Sequence, residues 1–242
     1  METVCTRQQH PKAARDERFS AKLARHGNEH AVHARSHTVR FLSDTIVIGC
    51  HTGQLAGLTQ EELDRDAVYA LSILVSALIR DSLECEPFLL YRGCIAMGEF
   101  VLDGNFMVGE AVDELAESMD KADGAFVWLT PAAWRLFATV EDIENETAFV
   151  RYPVPLKDGR LFETGVVNPF RYVSNRHRLP LLEKMIASFN SSALDVQIKR
   201  QNTERFLRTA FQTTALMRWD HEWTHLHTHA PPLESTCDES ES

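Results

Sequence analysis

The 242-residue chain has no Cys-x-x-Cys pair, no apolar run long enough for a bilayer, and too little positive charge to balance its acids. Each lack narrows the function. The five cysteines (Cys5, Cys50, Cys85, Cys94, Cys237) are odd in number and scattered, which speaks against a disulfide framework and for reduced thiols in a cytoplasm. The longest near-apolar stretch, 67–79, is bounded by Asp66 and Arg80 and is too short to cross a membrane. The N-terminus is polar and lacks the apolar segment of a signal peptide. A cytoplasmic protein with no membrane partner is therefore expected. Twenty-five Lys and Arg face 35 Asp and Glu, a net charge of −10. That is the wrong sign for a nucleic-acid binder, whose affinity rests on neutralising phosphates. No internal repeat is visible.

The charge is unevenly spread. Residues 1–40 hold eight Lys or Arg, four Asp or Glu and five His, with few large apolar side chains. Residues 1–37 read as a weakly ordered basic arm. From about Ala230 a Pro-Pro pair leads into Ser, Thr, Asp and Glu, so 230–242 reads as a disordered acidic tail. Between these ends, an apolar content of 44% over the chain is that of an ordinary globular protein. A main domain is expected over 38–175 and a helical extension over 176–229.

Within the main domain the periodicity changes repeatedly. Val39–Cys50 is rich in β-branched residues and reads as a hairpin. Thr59-Gln-Glu-Glu62 is a capping box, followed by apolar residues at helical spacing (Leu63, Ala67, Ala70, Leu71, Leu74, Leu78) as far as about Leu83. Phe88–Val101 reads as a strand, Leu102-Asp-Gly-Asn105 as a turn and Phe106–Val108 as the returning strand. Gly109 opens a helix that Gly124 should stop. Ala125–Leu129 reads as a buried strand, and Thr130-Pro131 as an N-cap with proline at the first helical position. Thr147–Tyr152 and Val166–Phe170 read as strands, with Lys157-Asp-Gly159 as a turn between them. Ser192 to about His225 reads as one long helix. This mixture without βαβ regularity predicts an α+β fold.

The first hairpin carries the chemistry. In Phe41-Leu-Ser-Asp-Thr-Ile-Val-Ile48 a single carboxylate, Asp44, interrupts the apolar run beside Ser43. An acidic hairpin tip can hold a hard cation such as Mg²⁺, which takes oxygen ligands and keeps several waters. The plainer alternative is a turn in which Ser43 and Asp44 satisfy local backbone groups.

Three stretches in order, Phe41-Leu-Ser-Asp44, Arg92-Gly-Cys-Ile-Ala-Met-Gly98 and Phe106-Met-Val-Gly-Glu-Ala-Val-Asp-Glu-Leu-Ala116, resemble the class III nucleotidyl cyclases. More narrowly, the chain is similar to the small bacterial members that include the antiphage pyrimidine cyclases. The likeness spans roughly residues 38–170. It implies a ferredoxin-like fold with a mainly antiparallel sheet, helices near 60–82 and 110–123 on one of its faces, and C-terminal helices added to it. It implies conversion of a nucleoside triphosphate to a 3′,5′-cyclic nucleotide and pyrophosphate with Mg²⁺ or Mn²⁺, and a homodimer sharing its sites, steadied here by the helix 193–225. By position, Asp44 corresponds to the second metal aspartate, with Ser43 next to it in the substrate site. Arg40 and Phe106 fall at base-reading positions, where Phe106 can stack on a base but offers its edge no hydrogen bond. Arg92 could grip phosphate through its planar fork, or form a structural ion pair at a sheet edge.

The chain also departs from the family pattern. The 43 residues before Asp44 contain no Phe-x-Asp motif for a first metal aspartate. Either that strand lies upstream of Met1 or the site is degenerate, a domain that binds nucleotide or a protein partner without turnover. Asp113 and Glu117 stand where many members carry an asparagine and an arginine. Facing a triphosphate they would repel it unless a metal intervened, and with Glu114 they also read as a solvated acidic helix face. A separate match, His221-Glu-Trp-Thr-His225, has the zincin spacing. It sits near a Pro-Pro pair with no third ligand in view, so chance zinc binding by the His cluster is a better reading of it than peptidase chemistry.

Overall fold

A computed structural model describes residues 34–42, 45–52, 57–82, 90–103, 106–137, 148–171, 173, 175–187 and 192–228. Strand β1 (Ala34–Leu42) pairs antiparallel with β2 (Thr45–Thr52), in a register that closes on Leu42 opposite Thr45. Ser43 and Asp44 are therefore the two-residue link of the hairpin, and both lie outside the described residues.

Helix α1 (Gln60–Ser82) starts where its capping box predicts. The Thr59 N–H and Oγ1 donate to Glu62 Oε2 at 2.7 and 2.8 Å, and the Glu62 N–H returns a bond to Thr59 Oγ1 at 3.2 Å. These bonds hold the Glu62 carboxyl below the usual carboxylate range. Spacing alone predicts one apolar stripe, but burial extends around the helix to Val68, Ser72, Ile73, Ser76 and Ala77. The reason is that α1 packs against β1, β2, β3 (Gly93–Ile95) and β8 (Leu161–Val167) together. Its buried Ser72, Ser76 and Ser82 stay satisfied by donating to the carbonyls of Val68, Asn168 and Ile79, at 2.7, 2.8 and 2.7 Å.

The main sheet is mixed. Its order is β3 (Gly93–Ile95), β6 (Val127–Leu129), β8 (Leu161–Val167), β7 (Phe149–Pro155), with β3 parallel to β6 and the other neighbours antiparallel. The strand expected over 88–101 is shorter than its apolar pattern: in the described part, 90–101, only Gly93–Ile95 pairs in this sheet, and Val101 already belongs to β4. Strands β4 (Val101–Asp103) and β5 (Phe106–Val108) form a separate ribbon, as the Asp-Gly-Asn turn predicts. Helix α2 (Glu110–Ser118) ends well before Gly124, and turns and an isolated bridge from Ala122 to Leu156 follow it. Strand β8 begins earlier than the predicted 166–170, because the Lys157–Gly159 turn returns the chain directly onto β7.

Helix α3 (Pro131–Arg135) packs on β6 and β8. Helices α4 (Asn175–Ala187) and α5 (Leu194–Thr228) follow. Both enter the same core as the sheet: Leu182 and Met185 from α4 and Phe206, Leu207 and Ala210 from α5 are buried with Leu129, Phe149, Val154 and Val166. The segment expected as an extension thus shares one apolar interior with the α+β domain. No described helix is long and apolar enough to cross a membrane.

Candidate functional site

The second and third motifs meet through their glycines. Gly98 ends the Arg92 stretch and Gly109 opens α2, and the link after β3 crosses directly over the start of that helix. A Cβ on Gly109 would lie 2.3 Å from the Glu99 carbonyl oxygen, and Gly109 also has φ +132°, which side-chain-bearing residues rarely adopt. A Cβ on Gly98 would lie 3.1 Å from the Ala111 nitrogen. These glycines let two backbone segments touch.

Beside this crossing lies an open cleft of about 770 Å³, between β2, the start of α1 and the start of α2. At its α1 end Gln60 Nε2 donates to Thr52 Oγ1 at 3.0 Å and to Asp64 Oδ1 at 2.8 Å, while Thr52 Oγ1 donates to the same Asp64 oxygen at 3.2 Å. The His51 ring stacks on Phe100 with centroids 4.4 Å apart. Asp64, Glu99 and Glu110 line the cleft and, among the described residues, no Lys or Arg does. Nor is the start of α2 an anion cradle. The Ala111 N–H points to the Glu99 carbonyl at 3.4 Å, and Glu110 and Asp113 put negative charge in the first turn.

A second concavity of about 420 Å³ lies between β2 and β3, lined mostly by apolar side chains of β2, α1 and β3. Arg92 lines it, and its guanidinium pairs with Asp120 at 3.0 Å in an exposed setting. Arg40, on β1, donates from Nη1 to the Val39 carbonyl at 3.1 Å. Phe106 projects from the β4–β5 ribbon with 65% of its surface exposed, and Asp113 is exposed on α2. Arg40, Phe106 and Asp113 line neither concavity. The described part of one chain therefore does not bring Arg40, Arg92, Phe106 and Asp113 to one place.

The acidic face of α2 divides by role. Glu114 Oε1 accepts the Ala132 N–H at 3.1 Å and so caps α3 from a neighbouring element. Thr130 occupies the predicted N-cap position, but its hydroxyl makes no cap bond and is buried without a partner. Glu117 reaches only Lys121, at 4.0 Å along the same helix. Sequence reasoning missed Thr52, Gln60 and Asp64. The one signal for them was the Gln60–Asp64 spacing of four, which places both on one helix face.

Burial pushes the Cys94 thiol up to about 12, helped by the Glu114 charge, and burial pushes Cys50 to about 11. Neither is a nucleophile at neutral pH. Among the described residues no group of three or more His, Cys, Asp or Glu is placed to hold a metal ion. Asp44, the expected ligand, lies outside them, and the side chains of His221 and His225, on the last turns of α5, are likewise not described. No protein-family model, curated protein or solved structure matches the chain.

Proposed function

We propose that the chain is a nucleotidyl cyclase-type protein that takes a nucleoside triphosphate at the β1–β2 link and forms a 3′,5′-cyclic nucleotide and pyrophosphate. The observation that carries this reading is the order of elements. A hairpin linked by Ser43-Asp44 is followed by α1, the Arg92 strand, and a ribbon whose Gly109 opens α2 under Gly98. That order, with the motifs on a strand link, a sheet strand and a strand-to-helix junction, supports the resemblance.

Asp44 would hold Mg²⁺ or Mn²⁺ together with the phosphates, since such ions commonly take one or two carboxylates and complete their shell with phosphate and water. The bound ion supplies charge neutralisation and a more acidic ribose hydroxyl. Such an ion would add to the charge of Arg92, which lines the concavity at the start of β2, whereas the acidic cleft lies at the Cys50–Thr52 end of that strand. Arg92 is available to a phosphate: its pair with Asp120 is solvent-exposed, and such pairs contribute about 0–1 kcal/mol. Ser43 stands beside Asp44, and Arg40 and Phe106 would meet the base, Phe106 by stacking. A homodimer would bring the dispersed residues together. Val101, Phe106 and Val108 share the exposed face of the β4–β5 ribbon with Asp103, a largely apolar surface that a second subunit would cover.

A second reading has its own support. Acidic Asp64, Glu99 and Glu110 in the cleft, and Asp113 and Glu117 on α2, suit a domain that binds a protein partner, or a nucleotide only together with a cation, without turnover. The test is to incubate the chain with each ribonucleoside triphosphate and either Mg²⁺ or Mn²⁺ and to look for cyclic product by mass spectrometry. Product is expected, with Asp44→Ala lowering its rate on the order of a thousandfold, the loss of several kcal/mol of transition-state stabilisation. No product from any nucleotide, with binding that survives Asp44→Ala, would replace the enzyme by the binding domain.

A further inference from the structure

Arg92 and Asp120 are brought together by two separately anchored stretches of backbone. Arg92 directly precedes β3, and its neighbour Gly93 donates its N–H to the Phe126 carbonyl at 3.1 Å, which fixes that strand end beside β6. Asp120 stands in the turn just after α2. Backbone bonds pin this turn from several sides. The Lys121 N–H donates to the Ser118 carbonyl at 3.0 Å, the Lys157 N–H to the Lys121 carbonyl at 2.9 Å and the Asp123 N–H to the Pro155 carbonyl at 2.9 Å. Helix α5 adds Asn202, whose Nδ2 donates to the Asp123 carbonyl at 2.7 Å, and Thr203, whose Oγ1 accepts the Ala125 N–H at 2.8 Å. The two side chains therefore meet without any further ordering of the backbone that carries them.

Their contact joins one atom of each, Arg92 Nη2 and Asp120 Oδ1 at 3.0 Å, and among the described residues no other ion pair joins either side chain. Both are exposed, so solvent and a ligand reach the pair. Arg92 lines the concavity between β2 and β3 together with Met119, the residue before Asp120, and Thr45, the residue after Asp44. Among the described residues it is the only charged side chain on that lining. A carboxylate at contact distance cancels most of the guanidinium's field, so the paired Arg92 offers an approaching anion little net charge. We propose, resting on the nucleotide reading above, that Asp120 is a built-in competitor for the anion site at Arg92. Its carboxylate holds the guanidinium in the unliganded chain and yields it to a phosphate group of the nucleotide. A phosphate makes the exchange because it carries more charge than one carboxylate and meets the planar fork with two oxygens. An exposed ion pair has limited weight, so removing the competitor is worth about two- to fivefold in affinity.

The probe is inorganic tripolyphosphate with Mg²⁺ in fixed excess, titrated into the full chain by calorimetry, so that neither base recognition nor turnover enters. Asp120→Asn keeps the shape and removes the charge, and should tighten binding about two- to fivefold. Arg92→Gln should weaken binding. On the Arg92→Gln background, Asp120→Asn should then change nothing, because the competitor acts only through the guanidinium. Unchanged or weaker binding by Asp120→Asn, with binding still weakened by Arg92→Gln, overturns the competitor and leaves the phosphate contact at Arg92 standing. Tightening that persists on the Arg92→Gln background is the general effect of one acid fewer in the chain, and likewise overturns it. Equal binding by Arg92→Gln and the parent chain removes the anion site at Arg92 and the competitor with it. No binding by any of the four chains overturns the nucleotide reading as well.

Discussion

Truncating Phe206 to alanine tests whether α5 belongs to the core. The ring is 2% exposed and packs edge-on against Phe126 and Tyr152, with centroids 5.6 and 5.3 Å away. One turn earlier, Thr203 Oγ1 accepts the Ala125 N–H at 2.8 Å and Asn202 Nδ2 donates to the Asp123 carbonyl at 2.7 Å, so the helix has little freedom to close a cavity. Phe→Ala in a core costs about 3–5 kcal/mol, and aromatic pairs add about 0.5–1.5 kcal/mol beyond area, so a loss near the upper end is expected. That is a large share of the roughly 5–15 kcal/mol of a whole domain. With a urea slope of about 2 kcal/mol per molar, the midpoint should fall by about 2 M. Leu194→Ala on the same helix, at a residue 76% exposed, should stay within about 0.5 kcal/mol of the parent. Urea unfolding followed by far-UV circular dichroism and by tryptophan fluorescence supplies both numbers. A loss below about 1 kcal/mol for Phe206→Ala, or separate transitions in which helix signal melts before fluorescence changes, would show that α5 is an appendage and that the shared core is wrong.

Two further outcomes check the site's surroundings. Thr130→Val should be neutral or stabilising, because the buried hydroxyl has no partner and Glu114 already caps α3. A denaturation loss near the ~1 kcal/mol of an ordinary N-cap would refute that division of labour. Cys94, with its thiol pushed to about 12 by burial, should react with iodoacetamide at pH 8 on the order of a thousandfold more slowly in the folded chain than in urea, read by peptide mapping. The linkage has a definite sign. Above about pH 9 the unfolded thiol loses its proton first, so this group lowers stability as the pH rises from there towards 12. Equal alkylation rates in the two states would remove the burial argument.

Local rules were legible where both partners are near in sequence. The capping box of α1, the β1–β2 hairpin and the β4–β5 pair each follow from a few adjacent residues, although β1 reaches back to Ala34, inside the segment 1–37 expected as a basic arm, β2 runs on to Thr52, and β4 takes in Leu102 and Asp103 of the expected turn. What failed was extent. The apolar pattern over 88–101 has no mark at Gly93 or Ile95 that ends pairing, since strand length is decided by what lies alongside. The burial of α1 on several sides from Ala67 onward has the same origin: a helix packed on both a hairpin and a sheet keeps its exposed residues, Gln60, Glu61, Glu62 and Asp66, to its first two turns.

The site was less legible for a related reason, which also bears on its chemistry. The motif glycines declare themselves, because Gly98 and Gly109 meet a steric demand that no other residue meets. The charged motif residues do not, because a charge takes its meaning from what it faces. Arg92 faces Asp120, Glu114 faces the first amides of α3, and Asp113 faces solvent. The cleft at the Cys50–Thr52 end of β2 adds Asp64, Glu99 and Glu110 and, among the described residues, no Lys or Arg. A triphosphate brought there alone would meet only like charge and the desolvation of its own. A nucleotide at the β1–β2 link, at the other end of β2, would meet Arg92 among the described residues, and a divalent ion on Asp44 or residues of a second subunit would add to that positive charge. The proposed function therefore predicts phosphate contact at Arg92 and none in the acidic cleft.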